Sequence, residues 1–224
     1  MDKITSKYQE VMVILSMKRP TKKSYPERVE KAEKIFRDRG GVLKTGEALG
    51  AGIHPRTLYE MQRSGILEQL TRGLYRLADL PPLGNPDLVS VSLKISSGVI
   101  CLISALAYHE ITTQVPHEVY VALERGTEAP RLAHPPIRIF WFSGQAFTLG
   151  IQTHKIDGVP VRIFSPEKTI ADCFKYRNKI GLDTAIEALK LYRKRRGFKS
   201  EELIQFARVC RVEKVIRPYL EALA

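Results

Sequence analysis

The sequence predicts an α+β protein in two parts: a small helical domain closed by a β-hairpin, then a mixed α+β domain with a small antiparallel sheet and C-terminal helices. Three observations lead to that class. Up to residue 77, apolar residues recur at helical spacing and then give way to two short β-prone runs. Between 117 and 164 the apolar period changes to two, and after 165 helical spacing returns and holds to the C-terminus. The turn-rich stretch 79–86, DLPPLGNP, separates the two patterns. The expected boundaries are an arm and linker at 1–25, a first domain at 26–80 and a second at 81–224.

Residues 1–17 place Ile4, Tyr8, Val11, Met12 and Leu15 on one side of a short helix, which suits an arm packing on a neighbour. Residues 18–23, KRPTKK, form a basic linker broken by proline. The spacing of Val29, Ala32, Ile35 and Phe36 predicts a helix over 26–39, ended by Gly40 and Gly41. Thr45 is the expected N-cap of a short second helix, with Ala48 and Leu49 inward and Gly50 and Gly52 allowing a sharp exit. Ile53 follows as an apolar anchor, His54 stands at a cap position, and Pro55 takes the first helical position, where its missing N–H costs nothing. The third helix turns Leu58 and Met61 inward. After Gly65, ILEQL and GLYRL flank a tight turn at Thr71-Arg72-Gly73.

Three helices and a hairpin in this order read as a winged helix-turn-helix. The third helix is then a recognition helix whose outward face, Arg56, Thr57, Tyr59 and Arg63, meets base edges in the major groove of DNA. Lys44, Thr45 and His54 fall at helix N-termini, where phosphates are held. Arg72, at the tip of the wing, reaches a phosphate or the minor groove. Glu60 shares the outward face, where a carboxylate is repelled by phosphates but accepts from a cytosine amino group. The competing reading is a small module that only packs against the rest of the chain.

In the second part, Asn85-Pro86 opens a helix through Lys94, and residues 104–111 form another. Residues 117–123, 137–142, 149–156 and 159–164 are four candidate strands, the last two joined by Asp157-Gly158, the pair a two-residue hairpin favours. Ser165-Pro166-Glu167 opens a capped helix that buries Ile170, Ala171 and Phe174. Helices over 183–195, 200–210 and 212–223 complete the chain.

The 44% hydrophobic content of 224 residues is enough for a real core, and the net charge of +12 favours an anionic partner. Residues 1–80 hold 16 Lys+Arg against 10 Asp+Glu and residues 81–224 hold 20 against 14, so each part carries about +6. The first part is the more basic per residue. Cys101, Cys173 and Cys210 are odd in number and widely spaced, which suits structural thiols in a reducing cytosol rather than disulfides or zinc. The apolar run from Val11 to Leu15 is far short of the ~20 residues that span a bilayer, and no cleavage site follows it. A soluble, cytoplasmic protein with no membrane partner is expected.

An enzyme is the second class of hypothesis, suggested by Glu167, Lys168 and Asp172 within two helical turns. Glu167 and Asp172 lie five apart, off one another's face, so they do not converge on an ion as metal-dependent cleavage requires. His54, His109, His117, His134 and His154 sit in no metal-gathering pattern, and neither GxxxxGK[ST] nor GxSxG occurs. No catalytic residue, metal or cofactor is expected. The third class is an interaction module, for which Arg193, Lys194, Arg195, Arg196 and Lys199 offer a second basic surface. Cations at a helix C-terminus also simply complement its dipole.

Three segments together carry a family resemblance: RGLYRL at 72–77, VICLISALAYHEIT at 99–112, and VRIFSPEKTIADCF at 161–174. With them the chain resembles the AbiEi-type antitoxins, the DNA-binding partners in type IV abortive-infection toxin–antitoxin systems, over most of residues 26–195. The family pattern has glycine where this chain has Glu110. The resemblance implies an autorepressor whose winged helix binds inverted repeats upstream of its own operon. It also implies a second domain that counters a nucleotidyltransferase-like toxin in phage defence, without requiring a stable complex with it. The alternatives are a winged-helix transcription regulator with no toxin partner and a nucleic-acid-processing enzyme.

Overall fold

The computed structural model describes residues 26–132 and 134–223. The expected arm and basic linker at 1–25 lie outside the described residues. The described residues divide into two compact units, residues 26–68 with Arg76–Asp79, and Gln69–Tyr75 with residues from 80 onward.

In the first unit, α1 (Glu27–Asp38) buries Val29, Ala32 and Phe36 along the stripe that their spacing dictates. A short strand, β1 (Val42–Lys44), follows, then α2 (Thr45–Gly50) and α3 (Pro55–Arg63). The turn between α2 and α3 passes through Gly52 at φ +88°, a left-handed conformation open to glycine at little cost. Gly50 is helical, and Leu49 faces outward rather than inward. Helix α3 packs on α1 and buries Thr57, Leu58 and Met61. The hairpin, whose residues Gln69–Tyr75 group with the second unit, has strands β2 (Leu67–Thr71) and β3 (Leu74–Leu77) and turns through Arg72 and through Gly73 at φ +77°. Strand β1 completes a sheet of order β1-β3-β2.

The second unit contains α4 (Pro86–Lys94), β4 (Val99–Ile100), α5 (Leu102–Tyr108), β5 (Val119–Glu124), β6 (Ile137–Phe142), α6 (Gln145–Thr148), β7 (Ile151–Ile156) and β8 (Val159–Phe164). Helices α7 (Pro166–Lys175), α8 (Arg177–Ile180), α9 (Leu182–Arg193), α10 (Ser200–Val209) and α11 (Glu213–Ala222) complete it. The α+β class stands. Its sheet has five strands in the order β6-β5-β4-β8-β7 and is mixed. The β7–β8 hairpin and the β4–β5 pair are antiparallel, whereas β5–β6 and β4–β8 are parallel. The parallel β5–β6 pairing accounts for the long excursion of residues 125–136, since parallel neighbours need a crossover rather than a tight turn. At the β7–β8 turn Asp157 and Gly158 both take positive φ, +49° and +83°, as the two-residue turn demands.

Helix α7 runs through the middle of this unit, packed by α5, α9 and α10. The Ser165 side chain caps it by accepting the Lys168 N–H at 3.2 Å, and Pro166 is its first residue. Every residue from Glu167 to Phe174 is buried, so its polar side chains must find partners inside. Lys168 and Asp172, both 0% exposed, bond each other at 2.5 Å. The Cys210 thiol donates to the second Asp172 oxygen at 3.2 Å, and the Tyr192 hydroxyl donates to Glu167. Cys101, Cys173 and Cys210 are all buried free thiols. Burial pushes all three up, Cys210 to about 12, so they lack the thiolate character of reactive cysteines.

His109, at the end of α5, holds the carbonyl of Phe164 through Nε2 at 2.8 Å and lies beside Tyr108 and His154. Burial pulls its pKa below the ordinary 6.5, against the opposing pull of the Phe164 carbonyl and with a smaller push from His154. The folded state therefore binds fewer protons than the unfolded state as pH falls below 6.5. The stability present above that pH is lost on acidification, at up to about 1.4 kcal/mol per pH unit for one group. Denaturant midpoints measured between pH 7.5 and 5.5 should fall, and His109→Gln should flatten that slope. An unchanged slope in the variant would remove this assignment.

Candidate nucleic-acid interface

Arg56, Tyr59, Glu60 and Arg63 recur three and four apart and share the outward stripe of α3, opposite Leu58 and Met61. Tyr59 is 56% exposed, far above what a core aromatic shows. His54 is the N-cap of α3 in an extended conformation, and its Nδ1 accepts the N–H of Arg56 at 3.2 Å. With Nδ1 accepting, Nε2 carries the ring hydrogen and remains a donor. Packing on α1 fixes this stripe, because the buried arc of α3 sets the rotation of the helix.

Two placements differ from the sequence expectation. Thr57 is only 5% exposed, so it belongs to the packing arc with Leu58 and Met61 and not to the base-reading face. A threonine two residues past the proline looks exposed in the sequence, but the helix docks on α1 by that side. At α2 the cap shifts by one: Lys44 is the N-cap residue, Thr45 is the first helical residue, and Glu47 accepts the Lys44 N–H at 2.8 Å. The Glu47 carboxylate thus occupies the helix start where a phosphate was expected, and the Lys44 side chain there is exposed. Thr45 is half-buried. Arg72 is exposed at the hairpin turn, as its position implied.

Arg28, on the first turn of α1, is a member that the sequence did not reveal. Its Nη2 reaches both carboxylate oxygens of Glu60, at 3.0 and 3.4 Å, across 32 residues of chain. Arg28, His54, Arg56, Tyr59, Glu60 and Arg63 line one open groove along α3. Lys44, Thr45 and Arg72 do not line it. The electrostatic problem raised by Glu60 is thereby met from the neighbouring helix.

The second basic surface is partly used inside the chain. Arg193 stands over the Phe198 ring at 5.9 Å, Arg195 donates to the Glu110 carbonyl at 2.8 Å, and Lys199 pairs with Glu202 at 3.0 Å. Lys194 and Arg196 are exposed. Glu167 and Asp172 are both buried, each paired with a different partner, so they do not converge. Among the described residues no group of three or more His, Cys, Asp and Glu side chains could hold a metal ion, and no helix is long and apolar enough to cross a membrane.

No curated protein matches the chain. Among solved structures, the RV2827C protein from Mycobacterium tuberculosis aligns at 13% identity with a TM-score of 0.48, over 88% of this chain and 81% of that one. Residues 30–78 match the model of the family described as transcriptional regulator, AbiEi antitoxin. The segment from α1 to the end of the β2–β3 hairpin is thus similar to the AbiEi antitoxin transcriptional regulators.

Proposed function

We propose that the protein is a sequence-specific DNA-binding antitoxin and autorepressor, which binds inverted repeats in its own promoter and counteracts a nucleotidyltransferase-like toxin. The observation that carries the DNA half is the exposed stripe Arg56, Tyr59 and Arg63 on a helix whose opposite face is fully packed. Arginine forks match guanine O6 and N7, and a rigid helix sets them against base edges without further ordering. His54 and Arg28 hold the backbone beside the stripe, and Lys44 and the wing's Arg72 supply further phosphate contacts. A winged helix of this size needs two copies on a palindrome for useful affinity, so two molecules occupy each operator. The toxin half rests on the resemblance of residues 99–112 and 161–174 to the AbiEi-type antitoxins, with the residues from 81 onward as the antitoxin domain, and requires no stable complex. A protein acting on DNA and on an intracellular toxin works in the cytoplasm.

The test is titration into a labelled duplex from upstream of its own gene, against a scrambled duplex, at two salt concentrations. Arg56→Ala and Arg63→Ala should each reduce discrimination between the two duplexes by about 1–3 kcal/mol. Arg72→Ala should weaken both duplexes alike and lower the salt slope. Equal, weak binding of both duplexes by the unaltered protein would refute the repressor reading. Co-expression with an adjacent nucleotidyltransferase-like gene tests the toxin half, and toxicity that the protein does not relieve would leave a regulator without a toxin partner.

A further inference from the structure

The Glu60 carboxylate is the one acid on the reading stripe, and it is neither buried nor unpaired. Arg28 grips it with one nitrogen on both oxygens, at 3.0 and 3.4 Å, while the Arg28 side chain stays 58% exposed. An exposed pair of this kind adds at most about 1 kcal/mol to stability, so the fold does not depend on it. Its effect is on orientation: one arginine nitrogen leaves carboxylate lone pairs over for a further donor, and Arg28 and Glu60 line the same groove.

A bare carboxylate among phosphates is repelled. One neutralised by a neighbouring guanidinium is not, and it remains an acceptor. Of the groups on major-groove base edges, the cytosine N4 amino and the adenine N6 amino are donors. Adenine pairs its amino group with the N7 acceptor and is matched by an amide, which offers both a donor and an acceptor. A carboxylate offers acceptors only and is matched by cytosine.

Resting on the DNA-binding reading above, we propose that Glu60 specifies a cytosine in each operator half-site, and that Arg28 is the positioning residue that holds the carboxylate and ties it to the adjacent phosphate. Arg56 and Arg63, one turn to either side on the same stripe, read guanines flanking that cytosine. The half-site is therefore rich in G·C pairs, with Glu60 fixing the strand on which one cytosine lies.

The experiment is selection of bound duplexes from a random-sequence duplex library by the full chain, followed by titration of single-base variants of the selected site. The parent protein should prefer cytosine at one position per half-site by roughly tenfold over thymine. Glu60→Gln should lose that preference at that position alone, and keep those set by Arg56 and Arg63. Arg28→Ala should lose the cytosine preference and also bind every duplex more weakly, while Arg28→Lys should restore overall binding but not the preference, because a point charge does not fix the carboxylate. Glu60→Gln with an unaltered base profile overturns the inference, and if Arg56→Ala still changes the profile the repressor reading survives. If the parent selects no sequence at all, both fall together.

Discussion

Replacing Asp172 by alanine is expected to cost the protein about 3–5 kcal/mol of stability, the largest single effect predicted here. Lys168 is 0% exposed, on a helix buried on every side, with the Phe142 and Phe164 rings 5.0 and 4.3 Å from its ammonium. Those rings offer some cation–π attraction but no acceptor lone pair, so the charge would have no carboxylate to meet. Burial pushes the Asp172 carboxyl above its ordinary range, and the Lys168 ammonium pulls it back. The pair is thus a compensation for burial more than a source of stability. Replacing both members, Lys168→Met with Asp172→Leu, should recover most of the loss. Denaturant midpoints decide it, and a single variant within about 1 kcal/mol of the parent would show that water reaches Lys168.

Met61→Ala should cost about 2–5 kcal/mol, the range for emptying a fully buried site. Met61 is 0% exposed and, with Leu58 and Thr57, forms the whole buried arc by which α3 packs. Because that arc sets the rotation of Arg56, Tyr59 and Arg63, the variant should lose sequence preference and affinity together. Arg56→Ala should lose preference while keeping the salt-dependent component. Titrations of both variants at one temperature separate the two behaviours. Preserved preference in Met61→Ala would mean that the stripe is held by something other than its packing.

The parts of the fold legible in the sequence are those fixed by local chemistry. Ser165-Pro166, Asp157-Gly158, Arg72-Gly73 and His54-Pro55 each state a cap or a turn within two residues, and all four are in place. What escaped depends on partners far along the chain. Strands β1 and β4, three and two residues long, are too short to show alternation. The direction in which β5 meets β6 leaves no mark on a period of two. Thr57 lies on the buried side, which spacing alone does not show, because the width of a buried arc depends on the packing partner. The Arg28–Glu60 bond, 32 residues apart, has no local signature.

Glu110 joins the two levels. It takes φ +55°, the left-handed region that favours glycine. The Arg195 guanidinium, from the second basic surface, holds the Glu110 carbonyl at 2.8 Å. Part of the second basic surface is thus engaged within the chain.

Contact between the outward stripe of α3 and duplex DNA can be read residue by residue. In amide chemical-shift mapping of the isotope-labelled full chain, titrated with the duplex selected from the random library, perturbations should concentrate at residues 54–64, at Arg28 and around Arg72. Perturbations confined to residues beyond 80, with α3 unmoved, would place the nucleic-acid contact elsewhere and overturn the assignment.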